Sequence, residues 1–255
     1  MSALLANACV ILVRTQGPVN LGMVARLCGN VGVTDLRLVA PECEVNCADT
    51  RKFSTHSRDL ILNAPVFADL ASAVTDCTLV VGSSARNRND EYGEGLTLAQ
   101  VPEKLAKRHA GKFAVVFGNE ANGLDDTEMQ CCQAWFHLET PGSNTSYNLS
   151  HAVAITLYAL ATAEGVPPAA GESAATRASV AHLYAYWLQS LERFQYFRRT
   201  ERERFAPQLM RLFNRLDLGE HDVQVLMGML AQFNFFAFGD RGVVERAGAM
   251  REVNA

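Results

Sequence analysis

The sequence predicts an α/β domain with a mostly parallel sheet, followed by a small all-α C-terminal extension. Three observations predict it. Over residues 1–162, short β-rich apolar runs alternate with helical stretches. A segment rich in Pro, Gly and small residues interrupts the chain at 164–176 (EGVPPAAGESAAT). Beyond it there are helical periods and no strand signal.

The elements follow in order. Residues 9–14 (CVILVR), 36–39 (LRLV), 78–81 (TLVV) and 113–117 (FAVVF) are near-continuous apolar runs ending at polar, Gly or Pro residues. That is the signature of parallel strands buried on both faces. Residues 134–138 (AWFHL) form a weaker fifth strand. Helices are expected over 20–31, 69–75, 97–109, 125–131 and 149–161, the last with Leu149, Val153, Leu157 and Leu160 on one stripe. After the interruption, 177–195, 208–216 and 220–235 read as helices, with Val223, Leu226, Met227 and Leu230 inward and fraying from Gly239. The division expected is a domain over 1–163, a linker over 164–176 and a helical extension over 177–255.

Composition excludes several classes. With 255 residues, 49% apolar and 20% charged, the chain can bury a sizeable core and is not disordered. No run approaches the length of a membrane span. The opening MSALLANACVILVRTQG has neither a basic n-region nor a cleavage site, so a cytoplasmic protein without membrane attachment is expected. Seven Cys and six His show no metal-ligand spacing, so no metal is expected. The net charge of −4 conceals an asymmetry: residues 191–215 hold seven Arg against three Glu, leaving −8 elsewhere. A basic helical segment of this kind is either a solvated helix face or a nucleic-acid footprint.

Three segments place glycine or small polar residues between a strand and a helix, where an open α/β sheet binds ligands. In 15–26 (TQGPVNLGMVAR), Asn20 reads as a helix cap or a site residue, Gly22 allows close backbone approach, and Arg26 projects from the helix. In 116–124 (VFGNEANGL), Glu120 lies between Gly118 and Gly123, either acting at a site or stabilising the next helix. In 143–152 (SNTSYNLSHA), a polar loop enters the amphipathic helix. A weaker fourth is 82–88 (GSSARNR). There is no G-x-G-x-x-G after the first strand, no P-loop and no G-x-S-x-G elbow. Taken residue by residue, the chain is an α/β ligand-binding domain with a basic helical appendage.

Taken in order, Asn20-x-Gly22-x-x-x-Arg26, Phe117-Gly118-x-Glu120-x-x-Gly123-Leu124 and Ser146-x-Asn148-Leu149-Ser150 resemble the three motifs of the SpoU/TrmH group of SPOUT methyltransferases. Segments 82–88 and 209–230 resemble its TrmJ branch, which methylates tRNA at nucleotide 32 of the anticodon loop. The resemblance implies transfer of a methyl group from S-adenosylmethionine to a ribose 2′-hydroxyl of RNA, most simply tRNA cytidine or uridine. It also implies a sheet whose C-terminal part is tied into a deep trefoil knot, and a homodimer. An rRNA substrate, or a non-catalytic RNA-binding protein of the same fold, are the alternatives. By position, cofactor contacts fall to Ser83, Ser84, Ala85, Gly118, Leu138, Thr145, Ser146 and Tyr147. Catalytic roles fall to Arg26, Asn20 and Ser146, and structural roles to Gly22, Glu120, Gly123 and Asn148. RNA contacts fall to Arg26, Arg86, Arg88, Arg198, Arg199, Arg202 and Arg204. Tyr147 and Val19 stand where the family usually carries Leu and Gly. Arg26, a poor base, is expected to anchor the developing oxyanion or a phosphate, with proton removal helped by that phosphate or by Ser146.

Overall fold

The computed structural model describes residues 3–85, 92–106, 111–163 and 174–242. The chain divides into two compact units, Met1–Gly171 and Glu172–Ala255. The linker expected over 164–176 lies outside the described residues from 164 to 173.

The first unit is a seven-stranded sheet: β1 (Ala8–Val13), β2 (Asp35–Val39), β3 (Val66–Phe67), β4 (Leu79–Ser84), β5 (Glu94–Thr97), β6 (Phe113–Phe117) and β7 (Ala134–His137). Their order is β3-β2-β1-β6-β4-β7-β5, and every pairing among them is parallel. Continuous apolar runs make this possible, because both faces are covered. Along β1, Val10 and Leu12 join a core layer with Leu21, Val24, Val153 and Leu157. Cys9, Ile11 and Val13 join a second layer with Leu70, Ala73, Leu124 and Met129. Alternation along the strand thus feeds two layers of helices.

The helices of this unit are α1 (Pro18–Val31), α2 (Ala48–Ser54), α3 (Arg58–Leu62), α4 (Leu70–Ala73), α5 (Val101–Ala106), α6 (Asp126–Gln130) and α7 (Leu149–Thr162). Proline opens α1, where its missing N–H costs nothing. Gly32 closes it at φ 81°, donating its N–H to the Cys28 carbonyl.

Several sequence expectations are corrected. The helix expected over 97–109 is strand β5, a 3-10 turn at Leu98–Gln100 and the short α5; 107–110 lie outside the described residues. Thr97 and Gln100 form a capping box at that junction, so the helical period begins later than the apolar count suggested. Ser83 and Ser84 continue β4 and do not belong to a following loop, since each sits opposite a β7 residue. The helix expected over 69–75 is shorter, with Asp69 as its cap.

In the second unit, α8 (Arg177–Arg193), α9 (Arg202–Leu216) and α10 (Glu220–Phe238) surround a core of Val180, Leu183, Tyr186, Leu209, Phe213, Val223 and Leu230. Helix α9 starts at Arg202, six residues before the expected start at 208, and carries Pro207 inside it. One lost hydrogen bond is outweighed by packing of Phe205 and Ala206 on the core. Helix α8 ends before Gln195, which turns left-handed at φ 59°. Among the described residues no strand follows 176, only a single bridge between Ala174 and Gly219. Also among these residues, no helix is long and apolar enough to cross a membrane.

Candidate functional site

All seven strands run the same way, so the loops after β1, β4, β6 and β7 converge at one edge of the sheet, beside the N-termini of α1 and α7. At that edge a cavity of about 510 Å³ opens, within the roughly 300–1,000 Å³ typical of small-molecule sites. Its wall includes Ser83, Ser84 and Ala85 from the end of β4, and residues Phe117, Gly118, Asn119, Glu120, Gly123 and Leu124 after β6. Leu138, Thr145, Ser146 and Tyr147 come from the loop after β7, and Leu149 and Ala152 from α7.

Glu120 joins the loops. Its carboxylate accepts from the backbone N–H of Gln16 at 3.0 Å and of Gly17 at 3.1 Å. The Asn20 amide donates to the same group at 2.8 Å. Gly17 occupies the cap position of α1 without a side-chain cap, so Glu120 supplies from another loop the negative charge that a helix N-terminus favours. Partial burial alone would raise the Glu120 carboxyl. The bonds from Asn20, Gln16 and Gly17 outweigh it and hold the group below its ordinary value.

The chain of bonds continues into the third motif. Asn148 donates to the Asn20 side-chain oxygen at 3.2 Å. The Asn148 oxygen accepts from the Ser150 N–H at 3.0 Å and hydroxyl at 2.7 Å, capping α7. Asn148 is therefore both cap and link. Asn20 is not the cap of α1 but its third residue, turned toward the two neighbouring loops. The alternative for Glu120, stabilising the helix just after it, is also resolved. Asp125 caps α6 through a reciprocal box with Glu128.

The loop after β6 is pinned from beneath. Arg14, held at φ 50°, forks onto Glu128 with both bonds at 2.8 Å and reaches the Gly123 carbonyl at 3.3 Å. Gly118 has no room for a side chain: a Cβ there would lie 2.1 Å from the Gly123 carbonyl carbon. Gly123 itself takes φ 69°. Gly22 packs α1 onto α2, where a Cβ would meet the Thr50 carbonyl oxygen at 2.6 Å.

The structure therefore gathers Asn20, Glu120, Asn148 and all eight residues read as cofactor contacts around one edge. It does not bring Arg26 to the cavity wall. Arg26 is exposed on α1, about 9 Å along the axis from Asn20, and its side chain has no ion pair or hydrogen bond among the described residues. Arg86 and Arg88 lie outside the described residues. Arg198, Arg199, Arg202 and Arg204 are exposed in the second unit. Sequence reasoning missed Arg14, Gln16, Asn119 and Ala152. A strand-terminal Arg whose partner is 114 positions away leaves no local signal. Among the described residues, no group of three or more His, Cys, Asp or Glu could hold a metal.

The cavity suits a ligand with both an apolar ring and polar groups. Leu138 and Leu149 supply apolar surface, while Ser83, Thr145 and Ser146 supply hydroxyls.

Comparison with known proteins agrees on both units. Residues 7–158 match the SpoU rRNA Methylase family, and residues 178–243 match the tRNA methyltransferase TrmJ C-terminal domain. The tRNA (cytidine/uridine-2′-O-)-methyltransferase TrmJ of Cronobacter sakazakii is 30% identical over 242 residues, covering 89% of this chain and 96% of that protein. The enzyme of the same name from Klebsiella pneumoniae is equally similar, 30% over 242 residues. The crystal structure of TrmJ from Z. mobilis superposes with a TM-score of 0.78 at 24% identity, over 89% of this chain and 99% of that one.

Proposed function

The chain belongs to the SpoU methylase family, and from that premise we propose that it transfers a methyl group from S-adenosylmethionine to a ribose 2′-hydroxyl of tRNA, at the cytidine or uridine of nucleotide 32. The observation that carries this reading is the bonded chain Glu120–Asn20–Asn148, which ties the three motif loops around one cavity.

When bound, S-adenosylmethionine supplies an already activated methyl group, so the protein's task is alignment and handling of one proton. Leu138 offers apolar surface for its adenine, and Ser83, Ser84, Ala85, Gly118, Thr145, Ser146 and Tyr147 form the rest of its cradle. Glu120 and Asn20 fix the loops that shape this cradle, while Gly118 allows the crossing of residues 118 and 123 that closes it. The Ser146 hydroxyl, on the cavity wall, relays the proton released by the 2′-hydroxyl to an RNA phosphate oxygen as the methyl group passes to the 2′-oxygen. Arg26, exposed and with no side-chain partner among the described residues, binds a phosphate of the RNA strand that carries the reacting ribose. Arg198, Arg199, Arg202 and Arg204 add salt-sensitive backbone affinity.

Residues 1–163 would form the catalytic domain and 177–255 the RNA-binding extension. The working species would be a homodimer, with the chain after β7 drawn through a trefoil knot. For the knot the support is the chain path: β7 lies between β4 and β5, yet the loop leaving it returns to bond Asn148 to Asn20 on α1. Incubation with methyl-labelled S-adenosylmethionine and tRNA, followed by nuclease digestion and mass spectrometry, should give 2′-O-methylated nucleoside at position 32. Label in rRNA alone would move the substrate, and RNA binding without any transfer would make the chain a binding protein. Light scattering at twice the 27.8 kDa chain mass checks the dimer.

A further inference from the structure

The arginines of the second unit are not equivalent. Arg193 pairs with Asp240 at 2.8 Å, Arg202 with Glu192 at 2.9 Å, and Arg204 more loosely with Glu201 at 3.8 Å. The side chains of Arg198 and Arg199 have no ion pair or hydrogen bond among the described residues, and both residues are exposed. These two uncompensated cations lie at a corner of the fold. Phe194 ends α8, Gln195 turns left-handed, and Tyr196–Arg198 form a single 3-10 turn before α9.

The same corner exposes aromatic rings. Phe194 is 43% exposed and Tyr196 44% exposed. Tyr196 is also held firmly from behind. Its ring meets Phe197 edge-on at 5.5 Å and Phe205 at 5.1 Å, and those two rings contact each other at 5.9 Å. Phe197 and Phe205 are in turn anchored on the helical core. A buried aromatic would have no accessible surface to stack on, whereas Tyr196 keeps 44% of its surface open while packed against two rings. A rigid ring with one open side, next to unneutralised guanidinium groups, is the combination that binds unpaired nucleotides: bases stack on the ring while cations hold the backbone.

We propose that Tyr196, with Arg198 and Arg199 as phosphate contacts, forms a stacking platform for an unpaired base of single-stranded RNA. This deepens the RNA-methyltransferase reading and rests on it for the choice of RNA as the polyanion. The platform would let the helical extension distinguish loop from duplex, which backbone contacts alone cannot do.

The test uses the full chain and two probes, a fluorescent twelve-nucleotide oligouridylate and a twelve-base-pair RNA duplex, titrated over a range of KCl. Tyr196→Ala should weaken oligouridylate binding about tenfold with an unchanged salt slope and little effect on the duplex. Tyr196→Phe should bind like the parent, since stacking needs the ring and not the hydroxyl. Arg198→Ala with Arg199→Ala should reduce the slope by about 0.7 per residue on the single strand. Unchanged binding in Tyr196→Ala, or equal losses on both probes, would overturn the platform. A change in oligomeric state without an RNA effect would overturn it too, making the ring a contact between copies. Thermal melting of each variant separates misfolding from lost binding, and a Tyr196→Phe variant that folds but fails to bind also counts against stacking. Methyl transfer to tRNA by the parent is read alongside. Transfer intact with no stacking effect removes only the platform, whereas stacking intact with no transfer removes only the enzymatic reading.

Discussion

The two edges of the sheet both carry polar networks, and they are built on opposite principles. At the edge where β2, β4 and β6 begin, Arg37 forks onto Asp35 and Asp76 with bonds of 2.6 to 2.9 Å, and Lys112 bridges the same two carboxylates at 2.8 Å. Two cations face two anions, and the remaining Arg37 reach goes to the Ala73 carbonyl at 2.6 Å. At the opposite edge Glu120 pairs with no cation among the described residues. Its partners are two backbone N–H groups and one amide, and its neighbours open onto a cavity. Full neutralisation fits a group that only has to stay put, because a buried ion pair left incomplete is costly. Neutral donors fit a group that must shape loops beside a charged ligand without adding a competing counter-ion.

That comparison makes a crossed prediction with the largest effects. Arg37→Met should lower the melting temperature of the sheet unit by roughly 4–8 °C, on a loss of about 2 kcal/mol at about 2–4 °C per kcal/mol, because it leaves two partly exposed carboxylates with Lys112 as their one remaining cation among the described residues. Its methyl transfer at 25 °C should stay near that of the parent. Glu120→Ala should do the reverse: about a hundredfold loss in kcat/KM, with melting within a few degrees of the parent. Calorimetry and labelled-methyl assays on both variants check the pair. Equal activity losses would erase the distinction between the two edges.

Arg26→Lys should reduce turnover about tenfold, since an ammonium keeps the charge but loses the two-pronged geometry. Near-normal turnover would remove the fork from its proposed role. Arg14→Lys is a positioning change and should raise the KM for S-adenosylmethionine severalfold with kcat nearly unchanged. The lysine cannot hold both Glu128 oxygens and the Gly123 carbonyl. A fall in kcat alone would argue against it.

The smallest effect is on acid stability. Asp76 is held well below the usual carboxylate range by the Arg37 guanidinium, and burial of Asp35 is outweighed by its bonds to Arg37 and Lys112. Folded values below unfolded ones mean stability that is fully present above about pH 4 and is lost as pH falls through the folded values. Urea titrations from pH 7 to pH 3 should show a plateau and then a decline. Asp76→Asn should be less stable on the plateau and should flatten that decline. An unchanged slope would show that the ion-pair edge does not set acid sensitivity.

Apolar pattern identified the strands that are buried on both faces. Phe113–Phe117 and Ala8–Val13 read clearly because both layers demand hydrophobic residues at every position. The edge strand Glu94–Thr97 did not, since only Leu96 is buried and the strand exists through its pairing with β7. The three motif segments were legible as loop chemistry, and their order pointed to the family. What each residue bonds to was not. Glu120 meets Asn20 across 100 positions, and Asn148 meets it across 128.

The sequence by itself determined the layered α/β fold, the placement of small and polar residues at strand ends, and the basic helical extension. These follow from local propensity and burial period, which act over a few residues. Tertiary structure alone decided that Asn20 turns away from capping its own helix, that Arg14 pins the loop after β6, and that the Arg198 and Arg199 side chains have no partner among the described residues while those of Arg193 and Arg202 do. Those outcomes depend on which groups the closed sheet and packed helices bring within hydrogen-bonding distance of each other. No local pattern encodes that distance.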